Sequence, residues 1–238
     1  MNRIFASLLY KLLPGRCVIC KAPSHRQIDL CQACEHELPT TPSPCAQCGM
    51  SCLAISNHDQ ICGTCVAHPP EYDRTFCAFT YVSPVNLLVK EFKNGHNLVF
   101  GKVMSQVLAK KYRATLVNRP APHLLLPVPL HKNRLKLRGF NQATEIAQVI
   151  SDTCRIKVNT RACSRHKENV DQKKLPANQR KSNVEQVFTL NRRFNGYRVA
   201  IVDDVITTGS TVSALAELLR QHGASSIEVI ALARTPKR

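Results

Sequence analysis

The stretch "VAIVDDVITTGSTVSALAELL", residues 199–219, joins an apolar run, two adjacent aspartates, a hydroxyl-rich loop and a second apolar run. The unbroken run Val199–Val202 predicts a buried strand of a parallel sheet. The run after Thr211 has its apolar residues at helical spacing, which predicts a helix that ends near Gly223. A strand, a loop and a helix in this order are typical of an α/β fold.

The loop between strand and helix has the chemistry of an anion site. In open parallel sheets ligands bind beyond the carboxyl ends of the strands, where Asp203 and Asp204 lie. The first amides of the following helix lack partners and favour a phosphate, and Gly209 lets the backbone approach it. The aspartates are candidate acceptors for vicinal ribose hydroxyls, or helpers in holding magnesium. An acidic helix cap is the alternative, but one aspartate would satisfy it. The candidate phosphate ligands are Thr207, Thr208, Gly209, Ser210 and Thr211.

Nine of the twelve cysteines lie between Cys17 and Cys65, which indicates a local metal-bound or cross-linked unit. Eight of them form four C-x-x-C turns, and two such turns complete a tetrahedral four-thiolate site for structural zinc. The sequence therefore predicts one or two zinc ions, with disulfides as the rival interpretation. Pairing of the turns in sequence order is the simplest arrangement, and a crossed pairing is the alternative. Cys52 is left over. The predicted ligands are Cys17, Cys20, Cys31, Cys34, Cys45, Cys48, Cys62 and Cys65.

The charge balance favours a polyanionic partner, since 33 Lys+Arg face 16 Asp+Glu and give a formal net charge of +17. Nucleic acid, phosphorylated small molecules and anionic lipid surfaces fit this charge, and a solvated basic surface is the plainer alternative. The absence of Trp argues against a base-stacking platform. No segment has membrane-spanning length, and the N-terminal "MNRIFASLLYKLLPG" lacks a signal-peptide cleavage site. We expect a short amphipathic N-terminal helix and a soluble cytoplasmic protein, in which clustered thiols are usually metal ligands.

The prolines at positions 69–70 suggest a boundary between a cysteine module, residues 1–70, and a larger domain, residues 71–238. Strand-like and helix-like segments alternate in the larger domain, which predicts a mainly parallel sheet. The predicted strands are 76–82, 123–130, 197–205 and 225–234, and the predicted helices are 85–94, 99–112, 141–152 and 211–223.

Three stretches resemble one known family. "VAIVDDVITTGST" resembles the phosphoribosyl pyrophosphate loop of type I phosphoribosyltransferases. "PVPLHKNRLKLRGFNQA" (127–143) and "QKKLPANQRKSNVEQVF" (172–188) resemble signatures of the competence protein F family, also called ComF or GntX-like. That family joins an N-terminal double zinc ribbon to a type I phosphoribosyltransferase domain. Asn169 departs from the family, which usually has Thr there, although Asn keeps a polar side chain.

The resemblance implies roles for single residues. Asp203 and Asp204 would meet the ribose hydroxyls, and Thr207–Thr211 would hold the 5′-phosphate. The pyrophosphate would lie at Val128, Pro129 and Leu130, with Arg134 and Arg138 as guanidinium partners. Further basic and amide residues match the family in a long polar segment, which in transferases closes over the reacting centre. They are Arg165, Gln172, Arg180 and Asn183.

Two functions follow from the resemblance. The first is an accessory protein in DNA uptake or use of external DNA, which binds phosphoribosyl pyrophosphate or a related phosphorylated ribose. Single-stranded DNA and a helicase-like competence protein are its candidate partners. The second is an active magnesium-dependent phosphoribosyltransferase with an unknown acceptor. A full amidophosphoribosyltransferase reaction is not expected, because it needs a glutaminase domain. A zinc-ribbon nucleic-acid regulator would leave Asp203–Thr211 without a role.

Overall fold

A five-stranded parallel sheet forms the centre of the larger domain. The computed structural model of the protein describes residues 15–52, 60–94, 97–166 and 187–236. The sheet strands are β1 (Arg74–Thr80), β2 (Leu124–Pro127), β3 (Lys157–Val158), β6 (Arg198–Ile206) and β7 (Ser226–Arg234), in the order β1-β7-β6-β2-β3. All four neighbouring pairs are parallel. Two further strands, β4 (Cys163–Arg165) and β5 (Phe188–Leu190), pair antiparallel beside the sheet.

Helices cover both faces of the sheet. Their bounds are α1 (Gln32–Glu37), α2 (Gly63–Ala67), α3 (Val85–Asn94), α4 (Leu98–Thr115), α5 (Lys132–Arg138), α6 (Gln142–Cys154) and α7 (Ser210–Gln221). Along β6, Ala200 and Val202 pack with α3, α4 and α6, while Val199 and Ile201 pack with α7. This alternation follows from the two-residue period of a strand. Because both faces are covered, β6 is apolar without a break, as the sequence predicted.

The cysteine segments form two copies of one small unit. In the first, the Cys17 amide donates to Ala22 O and the Lys21 amide to Cys17 O; in the second, the Cys45 amide donates to Met50 O and the Gly49 amide to Cys45 O. Each unit continues into a short helix that begins after its third cysteine and carries its fourth, α1 in the first and α2 in the second. We call residues 16–37 the first knuckle and residues 44–67 the second knuckle, of which 53–59 lie outside the described residues.

The knuckles pack on the sheet at its β1 edge. Cys17, Leu30 and Cys34 of the first knuckle join the apolar cluster on the α4 face. The second knuckle meets β1 itself, where the Thr75 amide donates to Ala46 O at 3.0 Å and the Thr75 hydroxyl to Gln47 O at 2.6 Å. The two knuckles therefore have different neighbours in the larger domain.

The predicted strands and helices of the larger domain are all present, with ends displaced by up to three residues. The predicted strand 123–130 is shorter, since β2 ends at Pro127, where the proline ring removes a backbone donor. The sequence did not predict α1, α2, β3, β4 and β5, which are too short for a clear periodicity, or α5, which has no apolar face. The predicted N-terminal helix lies outside the described residues, and the division at residues 70/71 stays a prediction. Among the described residues, no helix combines the length and apolar character needed to span a membrane.

Candidate functional site

The two adjacent aspartates lie at the carboxyl end of β6. Asp203 is half-buried, whereas Asp204 is only 8% exposed. Oδ1 of Asp203 accepts a hydrogen bond from the Asp204 amide at 2.8 Å. Oδ1 of Asp204 lies 2.9 Å from the ammonium nitrogen of Lys93, which belongs to the last turn of α3. One oxygen of each carboxylate is therefore engaged within the protein, and each side chain keeps a second acceptor oxygen.

The surroundings of Asp203 raise its pKa. Burial is the largest cause and the neighbouring Asp204 carboxylate the next, and the net result is a pKa of about 7. The Asp204 amide, Lys93 and Arg165 act in the opposite direction. A carboxyl with a pKa near 7 exchanges its proton in the neutral range, which is a property of acid–base and ligand-linked sites.

The loop after β6 presents threonine hydroxyls to solvent and leads into the first turn of α7. Gly209 has φ +84°, in the left-handed region that glycine adopts without strain, and α7 begins at the next residue. The Ser210 amide donates to Thr208 Oγ1 at 3.3 Å, and the hydroxyls of Thr208 and Ser210 hydrogen-bond to each other. Thr207 and Thr208 are exposed. The first-turn amides of α7 have no intrahelical partner, so the loop offers several N–H and O–H donors to one anion.

The predicted pyrophosphate corner adjoins the end of β6. The Val128 amide donates to Val202 O at 2.9 Å, and Asn141 Nδ2 donates to Val128 O at 3.0 Å. These bonds hold 128–130 beside the residue that precedes the acid pair. Pro129 and Leu130 are half-buried there.

The short helix α5 follows this corner and has no buried residue. Arg134 is exposed, and Arg138 donates from Nη1 to Gln142 Oε1 at 2.9 Å. Arg134 and Arg138 are thus near the corner along the chain, and their predicted contact with a pyrophosphate stays a prediction.

Two basic residues bring positive charge to the acid pair from other elements. Arg165, at the end of β4, lies close enough to lower the pKa of Asp203, and its guanidinium lies 5.5 Å from the Phe188 ring centre. Lys93 was missed in the sequence, where nothing local distinguishes it from the other lysines of α3 and α4. Gln172, Arg180 and Asn183 lie outside the described residues.

The eight predicted zinc ligands form two clusters in sequence order. Within each cluster the four sulfurs lie within 4.8 Å of one another, and all twelve cysteines are free of disulfides. The Cys20–Cys31 and Cys48–Cys62 sulfur pairs are each 3.7 Å apart. Zn–S bonds of about 2.3 Å in a tetrahedron place sulfurs about 3.8 Å apart, so both clusters fit zinc. The clusters are Cys17, Cys20, Cys31 and Cys34, and Cys45, Cys48, Cys62 and Cys65.

Amide hydrogen bonds favour the thiolate form of one cysteine in each cluster. The Cys48 and Cys62 amides donate to Cys45 Sγ at 3.5 and 3.3 Å. Burial raises the pKa of Cys45, but backbone donors outweigh it and lower the pKa to about 6; the same balance lowers the pKa of Cys17 to about 6. Four thiolates leave no open position on zinc, so both sites are structural in type. Among the described residues at this edge of the sheet, the carboxylates of the acid pair are of the ligand type that magnesium prefers.

Comparison with known proteins identifies both parts of the chain. Residues 8–66 match the double zinc ribbon domain model and residues 136–238 the phosphoribosyl transferase domain model. The DNA utilization protein YhgH of Escherichia coli O157:H7 is 30% identical over 227 residues, which cover 94% of this chain and 98% of that protein. Competence protein F of Haemophilus influenzae is 31% identical over 225 residues, covering 92% and 96%.

A solved hypoxanthine phosphoribosyltransferase of Staphylococcus aureus aligns with a TM-score of 0.40 and 15% identity, over 56% of this chain and 64% of that chain. The fold assignment rests instead on the matched domain model and on the parallel sheet with its acid pair, loop and helix. Together with the full-length relatives, these features carry the family assignment. The chain belongs to the competence protein F family, in which a double zinc ribbon precedes a domain of the type I phosphoribosyltransferase fold.

Proposed function

We propose that the protein binds phosphoribosyl pyrophosphate, or a closely related phosphorylated ribose, at the end of β6. The observation that carries the proposal is the direct succession of the acid pair Asp203–Asp204 and the donor-rich loop 207–211 at one edge of the sheet. A ribose 5-phosphate needs acceptors for its vicinal hydroxyls and donors for its phosphate oxygens. The two groups of residues supply these in adjacent positions.

The free oxygens of the acid pair accept the ribose hydroxyls in this arrangement. Asp203 keeps the oxygen that the Asp204 amide does not use, and Asp204 the oxygen that Lys93 does not hold. The ribose ring then lies between the loop and the corner at 128–130. A pyrophosphate on the anomeric carbon points toward that corner, near the arginines Arg134 and Arg138. Magnesium carried with the pyrophosphate would supply charge neutralisation there.

The biological role we propose is that of an accessory in DNA uptake or in the use of external DNA in the cytoplasm. The relatives' names refer to DNA utilization and to competence. The support within this chain is its basic surface: α5 carries Lys132, Arg134, Lys136 and Arg138, has no acidic residue and buries none of its side chains. Such a helix suits the phosphates of single-stranded DNA. A helicase-like competence protein is the proposed protein partner.

Calorimetry with phosphoribosyl pyrophosphate and magnesium tests the binding proposal. Wild type should bind, and the Asp203→Ala/Asp204→Ala double variant should lose at least tenfold in affinity, since a hydrogen bond to a charged group contributes about 1.5–3 kcal/mol. The Asp152→Ala variant, on the exposed side of α6, is the matched control and should bind like wild type. Equal affinity of the double variant and wild type would refute the proposed site.

An active transferase is the second candidate, and the pKa of Asp203 favours it. A carboxyl with a pKa of about 7 can accept a proton from an attacking nucleophile near neutral pH. The test is release of pyrophosphate from phosphoribosyl pyrophosphate across a panel of amine and nucleobase acceptors. Turnover that disappears in Asp203→Asn would support the transferase, and binding without turnover would support the accessory role alone.

A further inference from the structure

A buried arginine joins the second knuckle to the phosphate loop. Arg234, the last residue of β7, is 7% exposed. Its Nε donates to Cys48 O at 2.9 Å, and its Nη1 donates to Ile206 O at 2.8 Å and also to Thr207 O. Cys48 is one of the second knuckle's metal-binding cysteines, and Thr207 is the first residue of the loop. One side chain thus touches both proposed sites.

These hydrogen bonds set the direction of the loop amides. A carbonyl and the next residue's N–H belong to one planar trans peptide and point in opposite directions. The guanidinium that holds the carbonyls of Ile206 and Thr207 therefore turns the amides of Thr207 and Thr208 away from itself. Those amides open the segment that we propose to hold the phosphate.

The charge of Arg234 also connects the two sites. Within the described residues, Arg234 has no salt bridge to a carboxylate, and a buried guanidinium needs a nearby negative charge. Four thiolates around a divalent zinc ion carry a net charge of about −2. The loaded second knuckle is a source of negative charge that adjoins Arg234 through Cys48.

The packing of the knuckle leaves little room for independent movement. Gly49 has φ +72°, and a side-chain carbon there would lie 3.0 Å from Thr75 Cγ2 and 3.8 Å from Arg234 Cδ. The Thr75 bonds to Ala46 O and Gln47 O fix the same turn to β1. A shift of the second knuckle would therefore also move the side chain of Arg234.

We propose that Arg234 is a positioning residue that couples zinc binding at the second knuckle to anion binding at the phosphate loop. The inference rests on the proposed function for its ligand. Because coupling between two sites is reciprocal, a bound anion must also stabilise zinc in the second knuckle. The first knuckle is the internal control, since its described contacts are with the α4 face and none is with the loop.

Zinc release to an excess of a metallochromic chelator tests the coupling. The Cys31→Ser variant retains zinc only in the second knuckle, and Cys62→Ser retains it only in the first. Phosphoribosyl pyrophosphate with magnesium should slow release from Cys31→Ser on the order of fivefold or more. It should leave release from Cys62→Ser unchanged. The same slowing in both backgrounds, or in neither, would overturn the proposal.

Two substitutions of Arg234 separate coupling from folding. Arg234→Lys keeps the positive charge but loses the planar guanidinium, which hydrogen-bonds carbonyls of both the second knuckle and the loop. Arg234→Met keeps only the apolar part of the side chain. Both should retain two zinc ions and lose the slowing of zinc release by the anion. A variant that binds both ions and still shows the wild-type slowing would contradict the proposal.

Hydrogen exchange provides a readout that needs no ligand. Amides of residues 206–211 should exchange faster in Arg234→Met and in Cys62→Ser than in wild type, with no change in Cys31→Ser. If wild type fails to bind phosphoribosyl pyrophosphate while this exchange pattern appears, the proposed ligand is wrong and the structural link stands. Unchanged exchange in both Arg234→Met and Cys62→Ser would refute the link.

Discussion

The ammonium group of Lys93 lies 2.9 Å from Oδ1 of Asp204, and it joins the last turn of α3 to the carboxyl end of β6. The ion pair is mostly buried, with side-chain exposures of 25% for Lys93 and 12% for Asp204. It places a positive charge beside two adjacent carboxylates that would otherwise repel each other. Lys93 also acts on the neighbouring carboxyl, because it lowers the pKa of Asp203 against burial and Asp204, which together raise that pKa to about 7.

The Lys93→Met substitution should destabilise the protein and shift the titration of the acid pair. Loss of a charged hydrogen bond at this depth should lower the free energy of unfolding by about 2 kcal/mol. Without the lysine, the pKa of Asp203 should rise further, because Lys93 lowers it in wild type. Denaturation in urea measures the first effect, and the pH dependence of phosphoribosyl pyrophosphate binding measures the second.

Lys90→Met is the matched control for this prediction. Lys90 lies one turn earlier on α3 and is exposed. Its substitution should change the free energy of unfolding by less than about 0.5 kcal/mol. The pH dependence of phosphoribosyl pyrophosphate binding should also stay that of wild type. If both variants behave alike, the Lys93–Asp204 ion pair has no special role.

The titration of Asp203 predicts how stability depends on pH. In the unfolded chain Asp203 ionises near 3.8, whereas in the folded protein it ionises near 7. Between these values the folded state binds the additional proton, so this group's contribution to stability falls as the pH rises from about 4 to about 7. The Asp203→Asn variant has no carboxyl to titrate at this position, so its stability does not fall with pH for this reason. Relative to wild type, the variant should gain about 2 kcal/mol in the free energy of unfolding between pH 5 and pH 7.

The comparison between variants isolates Asp203 from other titrating groups. Zinc ligands also bind protons in acid, so each measurement is taken as variant minus wild type at the same pH and zinc content. Asp152→Asn, which removes an exposed carboxylate of α6, is measured in the same way as the matched control. A difference for Asp203→Asn that does not change with pH would mean that the pKa of Asp203 is not raised.

The sequence predicted those features whose determinants lie close together in the chain. The β6 strand, the acid pair, the loop and α7 occupy one stretch of about twenty residues, and each C-x-x-C turn carries its own signal. The four turns also pair in sequence order, which is the simplest of the arrangements that the sequence allowed. The local pattern was sufficient because each knuckle closes on itself within a short stretch of chain, through backbone hydrogen bonds such as Val18 N–H to Asp29 O and Ala46 N–H to Gln60 O.

Contacts between distant residues were beyond a single sequence. Arg234 and Cys48 are 186 positions apart, and Arg234 resembles any other arginine at the end of a strand. Lys93 gains its partner only because the sheet order places β1 and its following helix near the end of β6. No rule of composition or spacing predicts these contacts, because they depend on the topology of the fold. The exposed helix α5 was missed for a different reason, since it lacks an apolar face with a helical period.

The zinc content of the purified protein should be two ions per chain. Cys31→Ser and Cys62→Ser should each retain one ion, because each removes a ligand from one cluster. Cys52→Ser should retain both, since Cys52 lies outside the two clusters although it is near the second. Metal analysis by mass spectrometry provides the count. Loss of an ion in Cys52→Ser would show that the second site uses a different set of four cysteines.

The left-handed conformation of Gly209 should matter for anion binding more than for packing. A side-chain carbon at this position would lie 3.5 Å from the Tyr72 hydroxyl, which is ordinary contact, so the penalty of Gly209→Ala comes from φ +84°. We expect a loss of about 1–2 kcal/mol in the free energy of unfolding. Any relaxation of φ also redirects the loop amides, so affinity for phosphoribosyl pyrophosphate should fall at least tenfold.

Gly196→Ala separates the two effects of such a substitution. Gly196 has φ +73° with open space around it and precedes β6 at the far end of the sheet from the loop. It should lose a similar amount of stability while binding phosphoribosyl pyrophosphate like wild type. Chemical denaturation and calorimetry on both variants provide the comparison. Equal loss of affinity in both would mean that the effect is one of general destabilisation.

The two faces of α5 should separate binding of DNA from binding of the phosphorylated ribose. Lys132 and Lys136 are one turn apart on one face, and Arg134 and Arg138 are one turn apart on another. The double variant Lys132→Ala/Lys136→Ala should weaken single-stranded DNA binding and reduce the slope of log affinity against log salt by about 1.4, for two lost phosphate contacts. Its affinity for phosphoribosyl pyrophosphate should be unchanged, whereas Arg134→Ala/Arg138→Ala should lower that affinity.

Fluorescence anisotropy with a labelled oligonucleotide at several salt concentrations measures the slope, and calorimetry measures the affinity for phosphoribosyl pyrophosphate. Since α5 buries no side chain, the lysine variant should keep its stability, whereas the arginine variant loses the hydrogen bond from Arg138 to the buried Gln142, so its stability is measured beside its affinity. A DNA affinity that does not depend on salt would refute the electrostatic interface.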